Sequence, residues 1–230
     1  MVKVRIARLL CGGVLALSPV LGHALTSITD NPNDFLPTFA GSTSSTDLDV
    51  IDATVLYDAT TDRYSLSATM SGAIGSTKTG GTDPTGLYVW GVNRGAGTAS
   101  FAADGITGVR FDRVVILNPD GTGSVAGVGD LPAGSVTIAG NTISAVISGS
   151  FLPSTGFNKI DYTWNLWPRD GFFPFGFTQI ADFAPDNANF TTTPGVVVTP
   201  GVAVPEPQTY LLMLAGLAIA GWATRRRAGS

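Results

Sequence analysis

From Tyr64 to Met70 the chain alternates without a slip: Tyr64, Leu66, Ala68 and Met70 are apolar, and Ser65, Ser67 and Thr69 between them are polar. A period of two puts the apolar set on one side of an extended chain, so this stretch predicts a half-buried strand. Upstream, residues 48–57 predict a second strand, with a bulge near Ile51 and Asp52 where the alternation slips. Asp58 to Asp62 reads as a tight turn, which makes the two strands an antiparallel hairpin. Residues 87–92 are apolar on both sides and predict a central strand. Residues 113–117 run into Asn118-Pro119-Asp120-Gly121, where proline presets φ and glycine accepts a positive one. Residues 136–139 and 142–147 flank Gly140-Asn141, a two-residue hairpin turn. Residues 160–167 and 177–183 supply the last, aromatic strands, and no segment between residues 25 and 204 sustains a helical period.

Many short strands with glycine-rich turns predict an all-β protein whose body is an antiparallel β-sandwich. Apolar runs at the two ends predict a signal helix before that body and a hydrophobic helix after it. The expected division is a signal peptide over 1–24, a β-sandwich domain over 25–190, a linker over 191–204 and a sorting segment over 205–230. Two Thr-Pro-Gly repeats make the linker semi-extended, a spacer between domain and membrane.

At the N-terminus, Lys3, Arg5 and Arg8 precede an apolar stretch from Leu9 to Leu21, and Gly22-His23-Ala24 places small residues before a cut between Ala24 and Leu25. This is the pattern of an exported chain, cleaved by signal peptidase. At the other end, Pro205-Glu206-Pro207 precedes an uncharged run from Tyr210 to Ala223, and Arg225-Arg226-Arg227 follows. The prolines fix φ and withhold amide donors, so the first motif stays out of any helix and extended. The run predicts a transmembrane helix over 210–224. Its uncharged part spans about 21 Å as a helix, against roughly 30 Å of hydrocarbon. The arginines act as a stop-transfer signal, because positive charge beside a membrane segment resists translocation.

In these three parts, taken in order, the tail resembles the PEP-CTERM protein-sorting signal of Gram-negative bacteria. The resemblance implies recognition and cleavage near Pro205-Glu206-Pro207 by an exosortase. It further implies an inner-membrane precursor, then a place at the cell surface or in the extracellular matrix, in hosts that make exopolysaccharide and biofilm. In the body, Asp47 through Met70 followed by Tyr88-Val89-Trp90 resembles the CBM9-like and DOMON sandwich modules.

Composition narrows the chemistry. The single cysteine and single histidine, Cys11 and His23, both lie in the signal peptide. The mature body therefore lacks disulfides, thiol and imidazole nucleophiles, and histidine ligands for zinc or iron. With a formal net charge of -4 and no basic stripe, nucleic acid is excluded as a partner. The carboxylates of the body are all aspartates, the sole glutamate being Glu206. Aspartate without glutamate suits turns and strands better than helices.

Two constellations could carry function. Asp47 and Asp49 fall on one face of a strand, about 7 Å apart, where a carboxylate pair can bind calcium or hydrolyse a glycosidic bond. The bland alternative is a solvated strand edge that discourages aggregation. Trp167, Arg169, Asp170, Phe172 and Phe173 have the residue types of a sugar-binding surface, aromatic faces beside polar side chains. The bland alternative is aromatic core. The expectation is a non-catalytic surface or matrix protein without cofactor, with a carbohydrate-binding module as the alternative. An exposed aromatic platform would favour the alternative.

Overall fold

The structure is a computed structural model, and residues 27–197 are described. The signal peptide, its Ala24–Leu25 cut, the Pro205-Glu206-Pro207 motif, the expected helix over 210–224 and Arg225 to Arg227 all lie outside the described residues. Among the described residues no helix is long and apolar enough to cross a membrane.

Among the described residues, twelve strands form two six-stranded sheets. The first contains β1 (Ile28–Thr29), β2 (Val50–Asp58), β3 (Arg63–Met70), β9 (Thr142–Ser148) and β8 (Val136–Ala139) in that spatial order. The short β12 (Thr193–Pro194) lies parallel to β2, while the other pairings are antiparallel. The second sheet runs β11 (Phe190–Thr191), β10 (Thr163–Asp170), β4 (Gly86–Asn93), β5 (Arg113–Leu117), β6 (Gly123–Val125) and β7 (Gly129–Asp130).

The alternation along β3 performs as its pattern dictates. Tyr64, Leu66, Ala68 and Met70 are fully buried, and they pack with Val50, Ala53 and Val55 of β2. Across the gap the second sheet supplies Tyr88, Trp90, Val115, Trp164 and Leu166 to the same core. The β2–β3 register shifts between Val50 and Asp52, the bulge expected from the slipped alternation. In the β8–β9 hairpin Ala139 faces Thr142, and Gly140 has φ 64°, a left-handed conformation that glycine adopts without strain.

Strand β4 is largely buried on both faces, which explains its apolar run. The outer side of the second sheet carries a second apolar layer, in which Trp167 packs 4.8 Å from Phe111 and 5.2 Å from Phe101, centroid to centroid. Gly91 is required beneath it, because a Cβ there would lie 2.2 Å from the Trp167 ring.

Two expectations are corrected. Residues 177–183 do not form a strand: Phe177–Gln179 is a 3-10 turn, followed by isolated bridges from Ile180 to Arg169 and from Ala184 to Leu166. Pro168 breaks the ladder. Its carbonyl accepts the Ala181 amide at 2.9 Å, but it has no N–H to return the bond. The expected linker also begins too early. Thr191 belongs to β11, Thr193 and Pro194 belong to β12, and Val197 is buried. Composition suggested a spacer, but the Thr192 hydroxyl accepts the Trp164 indole N–H at 2.9 Å and donates to the Tyr162 carbonyl at 2.7 Å.

Candidate functional site

Asp47 and Asp49 are not a pair on a strand face. Thr46–Leu48 forms a 3-10 turn, so the strand period does not apply there, and both aspartates are fully buried rather than on a solvated edge. Asp47 accepts the Thr77 amide at 3.1 Å, the Thr77 hydroxyl and the Tyr88 hydroxyl at 3.2 Å. Asp49 accepts the Asn33 amide at 3.0 Å, in a different part of the molecule. Each carboxylate anchors a different loop.

Asp49 instead joins a larger group. Carboxylate oxygens of Asp34, Asp49 and Asp182 lie within 4.8 Å of one another, and so do those of Asp30, Asp34 and Asp186. The two triads share Asp34. The cluster is assembled from three places in the chain: the Asp30-Asn31-Pro32-Asn33-Asp34 turn, the entry to β2, and the segment after Ile180. Asp182 is fixed by the Val50 and Phe183 amides at 2.9 and 2.6 Å. Asp30 Oδ2 and Asp34 Oδ1 are buried and meet no hydrogen-bond donor. Among the described residues these five aspartates could hold a metal ion. Donors that are all oxygen suit a hard cation such as calcium.

Burial and mutual repulsion show in the acidities. Burial first, and then the charge of Asp34, pushes the Asp30 carboxyl up to about 7 from an ordinary value of 3.8. Burial pushes Asp182 up to about 8, with Asp30 and Asp34 adding to it, and Asp34 is raised by burial and by Asp186 and Asp49. A raised carboxyl binds a proton more tightly in the folded chain than in the unfolded one. Its contribution to stability is therefore complete below the ordinary value of 3.8 and is lost as pH rises towards about 8. Asp62 runs the other way, because hydrogen bonding to Lys159 lowers it, so its contribution is lost only as pH falls below the ordinary range. Between pH 5 and pH 8 the cluster governs. In the absence of divalent cations the unfolding midpoint is expected to fall by several degrees across that interval. A midpoint that rises or stays flat in calorimetric scans would contradict this.

The residues proposed to meet a glycan are separated by burial. Trp167 is 1% exposed, capped by Phe101, Phe111 and Phe183, so neither ring face is available for stacking. Asp170 is buried and accepts the Thr79 hydroxyl at 2.5 Å and the Phe172 amide at 3.0 Å. Phe173 is half-buried with Phe39 and Phe172 against its ring. Phe172 and Phe175 remain exposed, Phe175 at 90%, with the Arg169 guanidinium 5.4 Å from the Phe175 centroid.

Sequence reasoning missed Asp30, Asp34, Asp182 and Asp186. The first two flank Asn31-Pro32-Asn33, a turn-forming composition that carries no metal-ligand spacing of its own. For Asp182 the signal was local, a lone charge within Ile180-Ala181-Asp182-Phe183-Ala184. Nothing in the sequence placed it beside residues some 130 positions earlier (the Val50 to Asp182 separation is 132).

Comparison with known proteins bears on the other end of the chain. The family model of the PEP-CTERM protein-sorting motif matches residues 203–227. That is the signal of an exported protein processed at the membrane by an exosortase, and the match covers the proline-glutamate-proline motif, the apolar run and the arginines. No curated protein and no solved structure matches the chain.

Proposed function

We propose that the protein is a non-catalytic component of the cell surface or extracellular matrix, delivered through its C-terminal signal and associated with exopolysaccharide. The observation that carries this is the sorting motif at 203–227, which begins within a few residues of the last described position of a β-sandwich. The carboxylates support the non-catalytic part. Asp47, Asp49, Asp170 and Asp182 are buried and spend oxygens on backbone amides and hydroxyls, so none of these four is an accessible acid or base. Glycan binding remains the alternative, with the exposed Phe172 and Phe175 as its remaining aromatic surface.

Mass spectrometry of the protein recovered from its native surface tests the proposal. The expected product lacks Met1 to Ala24 and ends near Pro205-Glu206-Pro207, without the arginines. Recovery of the uncut chain from the cytosol would refute it. Calcium enters as a structural ion for the aspartate cluster, supported by the two buried carboxylate oxygens that lack donors. About 1 mM calcium chloride is expected to restore the midpoint lost at pH 8.

A further inference from the structure

The outer layer of the second sheet does not close over the whole face. A cleft of about 590 Å³ opens there, within the range of small-molecule sites. Leu87 of β4 and Val114 and Ile116 of β5 project into it, all half-buried. They share a face because Arg169 pairs with Leu87, Trp167 with Val89, and Val89 with Ile116 in register. Alternation thus brings Arg169 to the same side as these apolar residues.

Arg169 is the unusual member. Its Nε is buried without an acceptor, and among the described residues no carboxylate pairs with it. Its contact in the fold is the Phe175 ring. Burial lowers its pKa, a sign that the charge is poorly solvated. Asp104 lines the same cleft from an exposed turn but makes no ion pair with it. A half-buried guanidinium without a counter-charge is a recognition element for carboxylate, sulfonate or phosphate, which its planar fork matches. The remaining lining is largely apolar, and the Gln179 amide is already committed to the Phe173 carbonyl. A sugar would bury hydroxyls here without partners.

We propose that this cleft binds an amphipathic anion, an acyl or aryl molecule with one acidic headgroup, its apolar body on Leu87, Val114 and Ile116 and its charge on Arg169. The assignment is independent of how the protein is sorted. Two fluorescent probes that differ only in charge test it on the folded mature protein. They are 8-anilinonaphthalene-1-sulfonate and its uncharged parent, N-phenyl-1-naphthylamine.

The sulfonate is expected to bind at a single site about ten-fold tighter than the amine, the worth of one charge-assisted contact. Arg169→Gln should bring the two affinities together. Because Arg169 gives up no ion pair, that variant should melt close to the parent. Ile116→Trp, which fills the cleft, should weaken both probes. Equal affinities in the unaltered protein, no binding, or binding indifferent to Ile116→Trp in a folded variant would each overturn the assignment.

Discussion

Replacing Glu206 with alanine is expected to stop maturation, leaving full-length precursor in the inner membrane and no processed form at the surface. Pro205 and Pro207 would still be present, so the variant removes a carboxylate and leaves both proline restraints on φ in place. Glu206 is the only glutamate in the chain, and it stands immediately before an uncharged run. A processing enzyme at the bilayer surface would therefore meet one negative charge at that depth. Deleting Arg225 to Arg227 should give the same end result for a different reason. Positive charge beside an apolar run resists translocation, so its removal is expected to let the end of the run cross. The two variants separate in topology: protease added outside should trim the tail of the second and spare that of the first. Immunoblots of fractionated cells read both outcomes, and unchanged processing of the Glu206→Ala chain would mean that its carboxylate plays no part in recognition.

The largest effect within the sandwich is expected from Trp164→Ala. The indole is fully buried and stands edge-on to Tyr64, with centroids 5.5 Å apart across the two sheets. Removing it opens a cavity in a close-packed interior, at a cost of about 3–5 kcal/mol. For a domain of this length that is a fall in midpoint of roughly 10 °C. The indole N–H also ends on Thr192, so the substitution unties the terminal segment from β10. Thr192→Val isolates that bond, with an expected cost of about 1–3 kcal/mol for stranding a buried donor. Phe175→Ala serves as the control: at 90% exposure it should move the midpoint little. Urea denaturation followed by tryptophan fluorescence would read the series, and a Trp164→Ala midpoint within a degree or two of the parent would contradict the packing described.

What the sequence made legible was what local period and turn chemistry determine. Alternation located β3, its slip located the bulge in β2, and Gly140-Asn141 located the β8–β9 turn. Where a residue's partner was distant, the same logic failed. Pro168 denies a bond to Ala181, thirteen positions later, so the apolar run at 177–183 folds as a turn and two bridges. The Thr-rich stretch after Phe190 has a linker's composition, yet the Thr192 hydroxyl finds partners in the core. Trp167 had the right residue type for a sugar platform, but a second aromatic layer, contributed by Phe101, Phe111 and Phe183, covers it. The aspartate cluster needed three separated segments to meet, and no spacing rule encodes that.

The pairing of β12 with β2 also limits reach. With Val197 held against Asp58, eight steps of chain lead to Pro205, at most about 28 Å even when fully drawn out. An enzyme cutting at the bilayer must therefore work almost in touch with the folded globule. Were the new end joined to a support, the same short leash would hold the protein hard against it, with little freedom to sweep the space around it.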